Sequence, residues 1–430
     1  MPGLKIFRII TFVLPFLALG YVMWRSWRIM PFPAGAKTVV LAMMFVLFAL
    51  MPVCMFPGTL DKLPLPLGAF LYKASLSWVF VLIYLLLAFV MTDLLGVLRI
   101  MPLSLRVSSM AGTAIVAGVV AAFMLAGNLN YHHKHREKIS ITSPKAPARP
   151  LKIVMMSDIH LGYHIRRNEF SKWVDMINGE KPDMVLIAGD IIDRSVAPLL
   201  ADDDAKEFRR ISAPVFACPG NHEYYSGINN SKEFYKLAGI TMLRDTAVCF
   251  EGINTIGRDD RTNLRRKPLQ ALVSETDGNK FTILLDHQPY SLEEAEKCGI
   301  DFEFCGHTHH GQVWPVSLIT DAIYEDAYGA LEKSSTKYYV SSGIGIWGGK
   351  FRIGTRSEYI VAEISRPKIR KHKKQSPLRQ KQPRYPGKYL PKTGQKQAHF
   401  CSFSRHCFPG IWKGEKYKPY ILKYKALILK

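Results

Sequence analysis

Between residues 157 and 309 the chain carries five short clusters in which aspartate, histidine and asparagine recur. They are Ser157-Asp158-Ile159-His160, Gly189-Asp190-Ile191-Ile192-Asp193, Gly220-Asn221-His222-Glu223, Asp286-His287 and Gly306-His307-Thr308-His309. Carboxylate, imidazole and amide oxygen make a mixed oxygen and nitrogen donor set, suited to Mn, Fe, Zn or Co rather than to an all-oxygen Ca site. Two such ions about 3.5–4 Å apart clamp the attacking and leaving oxygens of an in-line displacement and lower the pKa of a bound water. A bridging carboxylate holds two cations that close together, and Asp190 is the candidate for it.

Each cluster follows a short apolar run. The runs Ile153–Met156, Val185–Ala188, Val215–Ala217, Phe281–Leu285 and Phe302–Cys305 read as strands, with helical stretches such as Glu169–Asn178 and Lys232–Leu237 between them. Alternation of strand and helix predicts an α/β domain. In such sheets ligands bind in the crevice beyond the carboxyl ends of the strands. Five strand ends would therefore carry the five clusters to one place. A last strand, Glu358–Ile364, closes the domain.

Taken in order, Asp-x-His, Gly-Asp-x-x-Asp, Gly-Asn-His-Glu, a lone His and Gly-His-x-His resemble the calcineurin-like metallophosphoesterases. The likeness covers residues 151–365. With the apolar N-terminal region and Gly-His-Thr-His-x-Gly-Gln, it points to the membrane-bound branch, which includes bacterial lipid-A-pathway-type hydrolases and the transmembrane protein with a metallophosphoesterase domain. The resemblance implies two β-sheets packed in a sandwich flanked by helices. It implies one divalent ion on Asp158, His160, Asp190 and His309, and a second on Asp190, Asn221, His287 and His307. It makes His222 the group that protonates the leaving oxygen or steadies the phosphoryl charge. Asp193 would orient that histidine or a ligand. Glu223 takes the last place of the Asn-His-Asp/Glu motif, an accepted variant.

Gly343-Ile344-Gly345-Ile346-Trp347-Gly348 satisfies G-x-G-x-x-G, but no helix start or further β unit follows it, so it is not a dinucleotide loop. The resemblance places this loop near the metals, where Trp347 and Arg352 are expected to contact substrate. Arg166, Arg167, Arg258, Arg261, Arg265 and Arg266 read mainly as surface charge. His164 and His310 read as neighbours of the motifs rather than as ligands.

Four apolar segments, Ile9–Trp24, Val39–Phe56, Ala74–Thr92 and Met110–Gly127, precede the domain. Each approaches the length that crosses a hydrocarbon core of about 30 Å as a helix, which predicts a multi-pass membrane region over residues 1–127. Residues 128–150 read as a polar, proline-rich spacer. An even number of spans puts both ends of the region on one side. Lys5, Arg8, Lys62, Lys73, Lys134, Arg136, Lys138, Lys145 and Arg149 lie there, against Arg25, Arg28, Lys37, Arg99 and Arg106, which favours a cytoplasmic catalytic domain.

The formal net charge of +22 is concentrated in the tail, residues 366–430, where Glu415 is the one acidic residue. That segment is expected to be disordered, with its last residues, Tyr417–Lys430, able to meet a membrane surface. No groove-reading motif is present, so nucleic acid is not expected as a partner. Seven cysteines without a Cys-x-x-Cys spacing argue against a disulfide scaffold. The expectation is a membrane-bound, dimetal-dependent phosphoesterase that hydrolyses a phosphoester or pyrophosphate; the membrane region favours a lipid-linked substrate, and the resemblance suggests one such as UDP-diacylglucosamine. The alternative is a membrane sensor or transport accessory that uses the same domain only to bind.

Overall fold

The computed structural model describes residues 2–367; the basic tail and its expected disorder lie outside the described residues. Four long helices come first: α1 (Pro2–Ile29), α2 (Ala34–Met55), α3 (Leu65–Val97) and α4 (Met110–His132). The four predicted spans fall on them. Among the described residues α2, α3 and α4 are long and apolar enough to cross a membrane. Leu19, Val22, Met44, Leu82, Phe89 and Val116 form the core of the bundle. Arg25 is buried there, its charge met by Asp93 at 2.9 Å. At about 1.5 Å per residue the 33 residues of α3 run to roughly 50 Å, well beyond a hydrocarbon thickness of about 30 Å. Its first turns are used elsewhere, against the catalytic domain.

That domain holds twelve strands: β1 (Lys134–Thr142), β2 (Leu151–Met156), β3 (Met184–Ala188), β4 (Val215–Cys218), β5 (Ile240–Met242), β6 (Thr246–Phe250), β7 (Ile253–Gly257), β8 (Phe281–Leu285), β9 (Phe302–Cys305), β10 (Gly329–Lys333), β11 (Thr336–Val340) and β12 (Ser357–Ser365). They form two six-stranded sheets, ordered β1-β12-β2-β3-β4-β5 and β10-β11-β9-β8-β7-β6. The predicted α/β sandwich is present, and each predicted strand lies within one of these.

Side-chain alternation explains the layering. In β2, Ile153 and Met155 point between the sheets, where they meet Leu186, Phe216, Ile283 and Phe304. Val154 and Met156 point the other way, onto Phe170, Trp173 and Val174 of α5 (Arg167–Gly179) and Phe234 of α6 (Ile228–Ala238). Strands covered on both faces read as continuous apolar runs, which is why they were visible in the sequence. β2, β3 and β4 run parallel to one another, as do β8 and β9, so their carboxyl ends share an edge of each sheet.

Of the segment read as a spacer, residues 128–150, only His133 and the proline-rich part after Thr142 lie outside helix and strand. α4 continues to His132, and Lys134–Thr142 pairs in parallel with Ser357–Ser365 as the sheet's edge strand. Its apolar signal is small because an edge strand buries little: only Ile141 is buried, with Ile139 partly so. The five cysteines within the described residues are free.

A fragment of residues 151–367 would lose the nine-residue edge strand and leave β12 open, whereas 134–367 would keep both. The longer fragment is expected to melt about 2–8 °C higher by circular dichroism, the shift that one or two kcal/mol produces in a domain of this size. Equal melting temperatures would show that β1 contributes nothing to the domain.

Candidate dimetal centre

The five loops meet at the shared sheet edge. Asp158 and His160 follow β2, Asp190 and Asp193 follow β3, Asn221 and His222 follow β4, His287 follows β8, and His307 and His309 follow β9. Three groups are close enough to hold a cation; one is His160, Asp193 and His222, and the two clusters made of the predicted ligands are Asp158, His160 and His309, and Asp190, His287 and His307. In the first of these two clusters, His160 Nε2 and His309 Nε2 stand 3.1 Å apart, and Asp158 Oδ1 lies 3.5 Å from His309 Nε2. In the second, His287 Nε2 is 3.1 Å from Asp190 Oδ2, and His307 Nδ1 is 2.9 Å from Asn221 Oδ1. Asp190 Oδ2 is also 3.6 Å from His160 Nε2. One carboxylate oxygen therefore touches both clusters, the position a bridging ligand needs.

These residues fit two cations. Two imidazole nitrogens bound to one ion at about 2.0–2.1 Å stand roughly 3 Å apart, as His160 and His309 do. His287 Nδ1 is 2.7 Å from the Ala188 carbonyl, to which it donates. That fixes its tautomer and leaves Nε2, which has no hydrogen-bond partner, facing Asp190. The field is strongly negative. Burial opposes the charged form of His160, yet hydrogen bonds with Asp158 and Asp193 and the charge of Asp190 raise it to about 10. Burial would also raise Asp190, but His287 and His222 hold it well below the usual carboxylate range. A place that draws protons this strongly draws divalent cations too.

The backbone is bent to bring the donors in. Asp158, His160, Asp190, His307 and His309 all have positive φ, between 48° and 70°, a conformation L-residues adopt at a cost and which gathers at functional sites. The Glu223 carboxylate holds the Asp190 loop in place. It accepts from the backbone N–H of Asp190, Ile191 and Ile192 at 2.9–3.0 Å and of Gly220 at 2.6 Å. A Cβ on Gly220 would fall 2.2 Å from Asp190 Oδ1, so glycine is required there. Gly343, at φ +86°, allows the glycine-rich loop to pass Asp158, 2.8 Å from where its Cβ would stand.

His222 donates from Nδ1 to the Asp193 carbonyl and has Asp193 Oδ1 at 3.2 Å, which leaves Nε2 for the cavity. Asp193 Oδ1 is also 3.5 Å from His160 Nδ1, so one carboxylate steadies a candidate ligand and the candidate acid together. Its other oxygen accepts from Tyr72 of α3, a fully buried phenol. Sequence reasoning missed Tyr72 because it lies in an apolar span more than a hundred positions away. It also missed Arg194, next to Asp193, which lines the cavity with its guanidinium 5.2 Å over the Tyr225 ring. The adjacency to the Gly-Asp-x-x-Asp motif was the available signal.

A cavity of about 460 Å³ opens above the clusters. Asp190, Asn221, His222, His307 and His309 form its floor, and Trp347 stands in its wall. Arg352 does not. It is 1% exposed and spends its guanidinium on the carbonyls of His309 (2.8 Å), Ser342 (2.5 Å) and Gly345 (2.8 Å). The expected substrate contact is thus corrected to a clamp that joins the His309 loop to the glycine-rich loop. The other arginines are largely spoken for: Arg167 pairs with Glu207 at 2.9 Å, Arg258 with Glu294 at 2.8 Å and Arg266 with Asp286 at 3.1 Å. Arg166 pairs with Asp202. Arg258 is buried rather than on the surface. His164 binds the Gly348 carbonyl at 2.5 Å and His310 faces Asp321 at 3.2 Å, so neither joins the clusters.

Residues 151–311 match the family model described as calcineurin-like phosphoesterase. A protein of Aquifex aeolicus named uncharacterized metallophosphoesterase is 32% identical over 53% of this chain and 90% of its own length. The chain belongs to the calcineurin-like phosphoesterase family. A Helicobacter pylori protein, also an uncharacterized metallophosphoesterase, is 33% identical over 49% of this chain and 58% of its own length. The chain thus spans little more than half of that relative. The Danio rerio transmembrane protein with metallophosphoesterase domain is 29% identical over 48% of this chain and 52% of its own length. Calcineurin-like phosphoesterases bind a dimetal centre, and the His/Asp clusters here suit one.

Two outcomes are expected. Burial pulls His307 down to about 4, while neighbouring carboxylates raise His160 to about 10 and hold His287 well above the usual imidazole range, so at neutral pH cations would displace protons from His160 and His287 and none from His307. Mn²⁺ titrated by calorimetry in buffers of different ionisation enthalpy should release about two protons when both sites fill, with affinity falling as pH falls. Uptake with no proton release would contradict the charge state of His160. Separately, Tyr72→Phe should lower kcat by about tenfold, near 1.4 kcal/mol, with KM little changed, since it loosens Asp193 without touching the cavity. An unaltered kcat would remove Tyr72 from the site.

Proposed function

We propose that the protein is a membrane-bound, dimetal-dependent phosphoesterase. Residues 1–127 would be its multi-pass anchor, residues 151–365 its catalytic unit and residues 366–430 a basic tail. The observation that carries this reading is the convergence of Asp158, His160, Asp190, Asn221, His287, His307 and His309 on two points joined by Asp190. In it, Asp158, His160, Asp190 and His309 hold one ion, and Asp190, Asn221, His287 and His307 hold the other. The mixed donor set suits Mn, Fe or Zn. When bound, such ions supply charge neutralisation at the phosphoryl group and acidify a water.

The rest is the work of this chain's own side chains. Arg194, in the cavity wall beside Asp190, offers its guanidinium to a non-bridging phosphate oxygen. His222 presents Nε2 to the leaving oxygen and gives it a proton, held in register by Asp193. Asp193 in turn keeps the imidazole oriented through its contact with Tyr72.

For the substrate we favour a lipid-linked phosphoester or pyrophosphate, of which UDP-diacylglucosamine is an example. The support is the cavity wall: opposite the polar floor stand Val79, Phe80 and Ile83 of α3, an apolar surface beside a phosphate-binding floor. We place the site on the cytoplasmic side; the support is the excess of basic residues at that end of the helices.

The test uses the full-length protein with Mn²⁺ and bis(p-nitrophenyl) phosphate or p-nitrophenyl phosphate. His222→Ala should cut kcat by about 10²–10³-fold while Mn²⁺ content stays at the wild-type level. Asp190→Ala should abolish both turnover and metal binding. Metal binding without any turnover, or turnover that survives Asp190→Ala, would sink the phosphoesterase reading.

A further inference from the structure

Helix α7 (Val316–Ile323) and the preceding Trp314 are the unexplained surface of the catalytic domain. Val316 and Thr320 face the cavity. Trp314, Leu318, Ile319 and Ile323 face outward and are 50%, 58%, 57% and 37% exposed. Single exposed apolar residues are ordinary, but four within ten positions form a patch that marks an interaction surface. At about 12 Å long, α7 cannot cross a bilayer but can lie along one.

We propose that α7 and Trp314 are embedded in the headgroup layer of the bilayer that α2, α3 and α4 would span, so that the cavity opens at the lipid surface. This rests on the reading of those helices as membrane spans. Two observations select lipid as the occupant. The first is continuity: Tyr84 of α3 donates to the Trp314 carbonyl at 2.6 Å and stacks on Phe123 of α4 at 5.2 Å. Phe123 is itself exposed, so the apolar flank of the bundle runs on through Tyr84 into α7. The second is depth. Val79, Phe80 and Ile83 lie about 14–18 residues from the far end of α3 at Val97, which is roughly 21–27 Å. A hydrocarbon core of about 30 Å with one face near Val97 has its other face close to the cavity. Asp321 is the one charged side chain on α7; it stays half exposed, and its charge is met by His310 at 3.2 Å.

A substrate whose apolar part stays in the membrane would reach the site laterally, between α3 and α7, without crossing water. A second copy of the chain is the competing occupant, and the experiment separates it. The full-length protein, with Cys249, Cys298, Cys401 and Cys407 replaced by Ser, is reconstituted in phosphatidylethanolamine–phosphatidylglycerol vesicles. A nitroxide is placed in turn at Ile319→Cys, Leu318→Cys, Val46→Cys in α2 and Leu264→Cys in an exposed loop. Accessibility is read with oxygen, which partitions into lipid, and with a water-soluble nickel chelate.

Labels at 318, 319 and 46 should favour oxygen, and the label at 264 should favour nickel. If 46 favours oxygen while 318 and 319 favour nickel, the helices span the membrane but α7 stands in water, and the proposal fails. Labels at 318 and 319 shielded from both reagents would indicate a protein contact and also overturn it. If 46 itself favours nickel, the membrane reading falls and takes the proposal with it. The second label on α7 keeps the result interpretable should one variant fail to fold.

Discussion

Asp158, Asp190 and Asp193 are all buried around one imidazole, His160, at 3.9, 3.6 and 3.5 Å, and the rest of the fold is arranged to make that tolerable. Carboxylates removed from water together repel and lose solvation, so each must be met by cations, imidazoles or N–H donors. The structure supplies these from every neighbouring loop. His309 and His160 lie beside Asp158, His287 and the backbone of His222 beside Asp190, and His160, His222 and Tyr72 beside Asp193. Two divalent cations would complete the neutralisation. The same charge that makes the site costly to form gives it affinity for metal.

Holding the donors at that edge requires supports that do no chemistry themselves. Glu223 is one, since its carboxylate gathers four backbone N–H groups and sets the Asp190 turn. Burial, with Asp190 nearby, pushes it up to about 7, evidence that its place is electrostatically expensive. Arg352 is another, spanning two loops through carbonyl oxygens. Gln312 is a third: it accepts from the Trp347 N–H at 3.2 Å and donates to the Gly349 carbonyl at 2.8 Å. All three are charged or polar residues that an interior would ordinarily reject. Their presence there marks where the fold has been shaped by the site.

The parts legible in the sequence were those with a local signature. Doubly covered strands appear as apolar runs, and each ligand cluster sits directly after one, so the order Asp158, Asp190, Asn221, His287, His307 could be read along the chain. What escaped was set by distance or by weak signal. β1 looked like a spacer because an edge strand shows one buried residue in nine. Arg352 looked like a substrate contact because an arginine near a glycine-rich loop gives no hint that its partners are main-chain oxygens. Tyr72 was invisible because an apolar helix offers no reason to single out one tyrosine before its neighbour in space is known.

Tyr72 also changes what the helical region is. Were the helices only a tether, their contacts with the catalytic domain would be interchangeable packing. Instead Asp61, beside the start of α3, accepts from Tyr163 at 2.5 Å and from Ser195 at 2.8 Å, and Tyr72 reaches Asp193 between them. Farther along the same helix, Val79, Phe80 and Ile83 become cavity wall. On α4, Asn130 donates to the Arg352 and Thr355 carbonyls at 2.8 Å, bracing the loop that carries the arginine clamp. Successive turns of α3 thus serve the orienting carboxylate and then the binding surface. A displacement of α3 by even an ångström would be felt at Asp193 and in the cavity together, because packed interiors transmit small shifts rather than absorb them. The helices and the loops of the candidate metal centre are therefore one mechanical unit, and the position of α3 is a variable of the site.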